Sequence, residues 1–138
     1  MGKYLEAGIK KSNIGETIML TLTHNKTPIS TQHIYAQRGW RKFMTPKAKM
    51  FKEDFLASVK KQLPKNHKLL TGLLEVRYFL TFPDKRRRDV DNYNKMIFDT
   101  MNEVVYKDDS QIQKLTVSKK YVKGKSKIVL KIKELGDE

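Results

Sequence analysis

Four aspartates bracket one short apolar segment of an otherwise strongly basic chain, and their spacing suits the capture of a divalent cation. Asp89 and Asp91 stand one residue apart in KRRRDVD, and Asp108 and Asp109 adjoin in YKDDSQI. In extended backbone, side chains two positions apart project to the same side, so Asp89 and Asp91 would chelate there, whereas in a helix they would diverge. Two such carboxylates repel each other unless a cation lies between them. Hard oxygen ligands favour Mg²⁺, with Mn²⁺ as a substitute, over softer metals. If the fold returns Asp108 or Asp109 towards Asp89 and Asp91, three carboxylates can hold one or two ions. A site of that kind hydrolyses a phosphodiester by activating water and stabilising the attacking and leaving oxygens. Lys85, Arg86, Arg87 and Arg88 run directly into Asp89 and are placed to bind neighbouring phosphates. Lys95, four residues after Asp91, reaches the same region from the first turn of a helix, where it orients Asp91 or neutralises charge developing in the transition state.

Each feature also has a purely structural reading. Asp-x-Asp pairs cap helices, Asp108-Asp109-Ser110 makes a turn, basic runs are usually solvated surface, and Lys95 can pair along a helix with Asp91 and Asp99. Their coincidence favours chemistry. The chain carries 29 Lys+Arg against 15 Asp+Glu, a net charge of +14, yet it gathers four acids at the two ends of one predicted helix. That surplus points to a polyanionic partner, nucleic acid first and an anionic membrane surface second. No uninterrupted apolar stretch approaches the roughly 20 residues of a membrane span, so no membrane partner is expected. With no cysteine, neither a disulfide framework nor a thiolate metal site is available, and the start of the chain has no export signal. An intracellular, cytoplasmic protein is expected. His24, His33 and His67 are too scattered for a zinc site and read as core or solvated residues. Trp40, beside Arg38, Gly39 and Arg41, suits packing first, with stacking on an exposed base or wedging into opened DNA as its other role.

The elements that must position these groups follow from periodicity. A chain of 138 residues reads as one domain over 1–138, with 1–15 an N-terminal extension or added edge. Residues 16–23, rich in Thr, Ile and Leu, predict a strand. The long polar connection after it is either functional or holds a short strand around 32–36. Thr45 and Pro46 open a helix whose Ala48, Phe51, Phe55, Leu56, Val59 and Leu63 repeat at helical spacing until Pro64. Residues 69–82 alternate as a strand, with Phe79 on the second face marking it as central. Tyr93, Met96, Ile97, Met101 and Val104 share one face of a second helix, which Asp91 would cap. Two β-branched runs, joined by KGKSK, predict a C-terminal hairpin turning at Gly124, with the lysines at 119, 120, 123, 125, 127, 131 and 133 on its surface. They line a DNA path or keep an exposed edge soluble. The predicted order is β, loop, α, β, α, β, β.

Residues 86–112, RRRDVDNYNKMIFDTMNEVVYKDDSQI, closely resemble the signature of the RusA family of Holliday junction resolvases, endodeoxyribonucleases often carried by phages and prophages. The matching core is Arg88-Asp89-x-Asp91-Asn92, then Lys95 and Asp99, then Asp108-Asp109-x-Gln111. The resemblance implies that Asp89, Asp91 and Asp109 are the metal-binding catalytic acids, with Asp108 a fourth and with Lys95 and Arg88 assisting. It implies Mg²⁺ dependence, a homodimer and an α/β fold, α+β-like, with a mixed β-sheet flanked by helices. QRGWRKFMTPKAKMFKEDF also looks like the family's loop and first helix, whereas HNKTPISTQ replaces its Pro-rich, Asn-containing stretch. Resolution of a four-way junction needs two symmetric cuts, which a C2 dimer supplies. Recognition would rest on branch shape and phosphate, with steep salt dependence. Two alternatives stay open: the same chemistry on other branched or flapped DNA, and a non-catalytic basic DNA-binding module. The module is disfavoured because four aspartates would weaken DNA binding unless a cation neutralised them.

Overall fold

The described residues fold as a six-stranded mixed sheet with two helices packed on one of its faces, an α+β arrangement. This computed structural model describes residues 3–5, 9–11 and 18–135, with side chains from residue 19. The strands are β1 (Lys3–Leu5), β2 (Ile9–Lys11), β3 (Ile18–His24), β4 (Tyr35–Arg38), β5 (Arg41–Met44), β6 (Leu74–Phe82), β7 (Ile112–Tyr121) and β8 (Lys127–Glu134). The helices are α1 (Pro46–Gln62) and α2 (Asn94–Met101). The large sheet runs β1-β2-β3-β8-β6-β7, and β4 pairs with β5 as a separate hairpin.

Local chemistry sets the first helix. The Thr45 hydroxyl accepts a hydrogen bond from the Ala48 N–H at 3.2 Å, Pro46 fills the first helical position, and Leu63 turns extended ahead of Pro64. Ala48, Phe51, Phe55 and Val59 are buried, against Leu20, Leu22 and His24 among others of the core. The Gln62 amide locks the helix end to β3, accepting from the Thr23 N–H at 2.8 Å and donating to the Thr23 carbonyl at 2.7 Å.

β6 is an interior strand, fifth of six, but Phe79 on its second face is exposed, so it is the pairing on both edges and not a second buried face that makes it interior. Leu74, Val76, Tyr78, Leu80 and Phe82 are buried, with parallel β7 on one side and antiparallel β8 on the other. It begins at Leu74 rather than residue 69, because the stretch before it is drawn off: Leu70 bridges to Tyr106 beside the sheet. The expected C-terminal hairpin does not form. β7 and β8 are separated by β6, and the turn between them crosses the end of that strand, where Val122 and Gly124 donate to the carbonyls of Phe82 and Pro83. Gly124 still supplies a positive φ, at 74°. A five-residue crossing, 122–126, lets β7 and β8 lie on opposite edges of β6, so that the backbone N–H and C=O groups of β6 are paired on both sides.

Helix two also differs from its predicted start. A 3-10 turn, Val90–Tyr93, precedes α2, and no side chain caps either element, so Asp91 is not a cap. The polar connection after β3 holds a 3-10 turn at Thr31–His33, then the β4–β5 hairpin. At the other edge β1 and β2 add to β3 antiparallel, the added-edge arrangement, while residues 1–2, 6–8 and 12–17 lie outside the described set. Among the described residues no helix is long and apolar enough to cross a membrane.

Candidate active site

β6 delivers the chain at Phe82 into a tight loop whose geometry is set by Asp84. Its carboxylate accepts from the Arg86 N–H at 3.0 Å and from the Arg88 guanidinium at 2.8 Å, which holds the Asp84 pKa below the ordinary carboxylate range. Arg88 also lies 4.3 Å from the Phe82 ring centroid, and Lys119 of β7 donates to the Arg88 carbonyl. Only 11% of the Arg88 side chain is exposed. Arg88 therefore fixes the backbone entering Asp89, leaving Lys85, Arg86 and Arg87 as the solvent-facing cations of the run. Beside Asp89 opens a cleft of about 480 Å³, lined by these arginines, Lys47, His33 and Asn92.

Asp89 is extended, at φ −93° and ψ 128°, but Asp91 falls inside the following 3-10 turn. The simple picture of both carboxylates leaving one extended strand is thus corrected, since the chain turns between them. Asp91 is exposed, and its charge reaches the buried Tyr78 hydroxyl, which has no hydrogen-bond partner among the described residues. The Tyr78 pKa is raised, first by burial and then by Asp91.

At the far end of α2 the Asp108-Asp109 pair sits in a tightly bonded turn. Asp108 caps the 3-10 turn Asp109–Gln111: its carboxylate accepts from the Ser110 N–H at 2.9 Å, its own N–H donates to Gln111 Oε1 at 2.8 Å, and the Ser110 side chain first, then the Ser110 N–H, lower its pKa. The Gln111 amide reaches across to donate to the carbonyls of Leu70 and Gly72, both at 2.8 Å. Asp108 is therefore the turn former of the structural reading, and the turn presents its neighbour, Asp109.

Lys95 does not pair with Asp91. It donates to Asp99 one helical turn on, at 3.0 Å, and this bond raises its pKa, with Tyr35 and Asp109 adding smaller effects in the same direction. Tyr106 donates to the Phe98 carbonyl at 3.0 Å beneath the same end of α2. Its pKa is pushed up by burial and then by Asp109, Asp99 and Asp108.

The seven acids between residues 84 and 109 separate by commitment. Asp84, Asp99 and Asp108 are spent on Arg88, Lys95 and the Ser110 cap. Asp89, Asp91 and Asp109, together with Glu103 just past the end of α2, have carboxylates that take no hydrogen bond or ion pair from any described residue, and of these four the three aspartates lie in the signature stretch as acids of the matching core. These are donors a hard cation can use. They do not form a finished cage, because no three Asp, Glu or His side chains among the described residues close in enough to hold an ion unaided. Mg²⁺ tolerates that well, since it keeps several waters and is usually bound through one or two carboxylates plus substrate phosphate. Fit here is by donor chemistry. The sequence reading missed Tyr78, taken as core alone, and Tyr35. Only the alternation of IYAQRGWRKFM around Gly39 could have revealed the hairpin that carries Tyr35.

The family profile described as endodeoxyribonuclease RusA matches residues 26–133, the stretch that runs from the polar connection through β8 and contains every residue of this site. The chain belongs to the RusA family. Among curated relatives, the crossover junction endodeoxyribonuclease RusA of Aquifex aeolicus (strain VF5) is 26% identical over 122 residues, covering 87% of this chain and 95% of the relative. The RusA proteins of Escherichia coli (strain K12) and Shigella sonnei (strain Ss046) are each 28% identical over 115 residues, covering 80% of this chain and 92% of the relative. The resemblance noted in residues 86–112 therefore extends over most of the chain.

Proposed function

We propose that this RusA-family chain is a Mg²⁺-dependent endodeoxyribonuclease that resolves four-way DNA junctions by paired symmetric cuts, acting as a homodimer inside the cell in recombination and repair. The observation that carries the reading is that the carboxylates of Asp89, Asp91 and Asp109, unlike those of their neighbours Asp84, Asp99 and Asp108, are engaged by no described residue. The relatives named as crossover junction endodeoxyribonucleases supply the substrate.

One or two of the three free carboxylates, completed by substrate phosphate and water, would hold the ion, which when bound supplies a Lewis acid at the scissile phosphate and a more acidic water. The chain's own residues do the rest. Lys85, Arg86 and Arg87 bind flanking phosphates and draw the strand towards Asp89. Arg88, held by Asp84 and Phe82, keeps the Asp89 backbone rigid. Lys95, fixed by Asp99, brings a cation to the Asp109 side of α2, where it offsets negative charge as the phosphate passes through its transition state. Two subunits provide two such sites for two strands of like polarity.

A labelled synthetic four-way junction, a matched linear duplex and a flapped duplex, each incubated with protein and Mg²⁺, test the substrate. Symmetric nicks in the junction alone support the proposal. Cutting of flaps in preference would keep the chemistry and replace the substrate, and binding without cutting in Mg²⁺ or Mn²⁺ would favour the DNA-binding module.

A further inference from the structure

Trp40 was expected to pack, yet it is 90% exposed. It sits at the tip of the β4–β5 hairpin, in a two-residue turn where Gly39 alone takes a positive φ, 65°, as a II′ turn requires. The hairpin is not a loose flap. Ile34 at its base is buried, Thr45 closes it by donating to the carbonyls of Ile34 through its N–H (2.8 Å) and of His33 through its hydroxyl (2.9 Å), and the same Thr45 caps α1. Beyond the Tyr35–Met44 pair it extends about 10 Å to its last pair, at some 3.3 Å per residue.

Its base adjoins the candidate active site. Thr31, in the turn leading into β4, donates to the Asn92 carbonyl at 3.0 Å, next in the chain to Asp91. Tyr35, the first residue of β4, lies near Lys95. A rigid arm therefore leaves the cleavage region and ends in a bare indole.

The arm's chemistry fits nucleic acid. Arg38 and Arg41 are directly opposed across the strands, a like-charge pair that costs the hairpin stability, and Lys42 sits over the Tyr35 ring at 4.8 Å. No acid lies in residues 35–44 to balance them. Phosphates would relieve that repulsion while the indole stacks on a base, the combination by which proteins hold unpaired or unstacked nucleotides.

We infer that the β4–β5 hairpin is a branch-sensing element, with Trp40 stacking on the base pair exposed at the centre of a junction while Arg38 and Arg41 grip the flanking phosphates. This rests on the junction reading above and adds how the enzyme distinguishes a branch from continuous duplex. In a linear duplex every base is stacked on both sides, so Trp40 gains little there.

Trp40 is the chain's single tryptophan, so its emission reports on the tip directly. The protein is titrated, with Ca²⁺ in place of Mg²⁺, with a synthetic four-way junction and with a linear duplex of the same arm sequence. Saturable quenching by the junction and much less by the duplex is expected. Trp40→Ala should weaken junction binding between about 5- and 100-fold while leaving duplex binding within about twofold, and Trp40→Phe should recover part of the loss. Arg38→Ala should weaken both DNAs alike. Because the indole touches little of the protein, an unchanged melting temperature confirms that the variants fold. Emission unmoved by saturating junction, or equal losses on both DNAs with Trp40→Ala, overturns the inference. So does emission that shifts on protein dilution but not with DNA, which would put Trp40 in a subunit contact. If the wild-type protein cuts junctions while Trp40 stays silent, the hairpin role alone fails. If it neither binds nor cuts them, the junction reading fails and takes this inference with it.

Discussion

Replacement of Gln111 by Met should separate the scaffold of the site from its chemistry. Met keeps the length of the side chain but removes three hydrogen bonds of 2.8 Å, two donated to the carbonyls of Leu70 and Gly72 and one accepted from the Asp108 N–H. The Leu70 carbonyl keeps the Lys107 N–H at 3.2 Å, so the Gly72 carbonyl and the Asp108 N–H bear most of the loss. At about 1 kcal/mol net per bond, the variant should lose about 2–3 kcal/mol. For a domain of this size that is a fall in Tm of about 8–12 °C. The functional effect should be larger. Asp109 follows the released Asp108, and a displacement of about 1 Å at a reacting centre can cost about 100-fold in rate. Thermal unfolding and single-turnover cleavage of a saturating junction are measured together, with junction affinity in Ca²⁺ as the control. A Tm within about 2 °C of wild type would refute the ledger of bonds. A lowered Tm with an undiminished cleavage rate would refute the claim that this turn positions Asp109.

His24 is buried against Phe51 and Phe55, its Nε2 has no partner among the described residues, and burial lowers its pKa. The unfolded chain then binds the proton more readily, so stability should be level above about pH 6.5 and decline as pH falls below it. His24→Leu should remove this histidine's part of the slope in urea titrations across pH 5–8, whereas an unchanged slope would reassign it. Lys95→Met breaks a half-exposed pair worth only about 0.5 kcal/mol, so its Tm should barely move while cleavage falls by about 100-fold or more. A variant of normal rate would remove Lys95 from the chemistry. Mg²⁺ at about ten times its Kd should stabilise the wild-type protein by about 1.4 kcal/mol. That shift should vanish in Asp91→Asn, and a shift of equal size in the variant would place the ion elsewhere.

The sequence announces what local chemistry decides. Thr45, Pro46 and Pro64 bound α1 almost to the residue because a cap, a fixed φ and a pre-proline clash act within a few positions. The alternation from Leu74 to Phe82 likewise marks a strand with one apolar face, while its interior place in the sheet rests on pairing with β7 and β8 that the alternation does not record. Partner choice is not local. KGKSK has every feature of a hairpin turn, yet β6 competes for both flanking strands and wins, and nothing within the turn records that competition. The site divides in the same way. Asp89, Asp91 and Asp109 stand out in sequence as acids in a basic chain, while the distinction that matters among the acids lies in which of them the fold consumes. Arg88 looked like a phosphate ligand, but only the loop back to Asp84 shows where its guanidinium goes. Asp91 looked like a cap until the 3-10 turn left its carboxylate free.

The most direct test substitutes Asp89→Asn, Asp91→Asn and Asp109→Asn one at a time and measures junction cleavage in Mg²⁺ beside junction affinity in Ca²⁺. Each change removes a negative charge near DNA phosphates, so binding should hold or tighten while cleavage is lost in all three. Asp108→Asn, whose carboxylate is engaged by the Ser110 N–H, should retain more activity than any of them. Wild-type cleavage by Asp91→Asn would contradict the assignment of the free carboxylates as the centre of the chemistry.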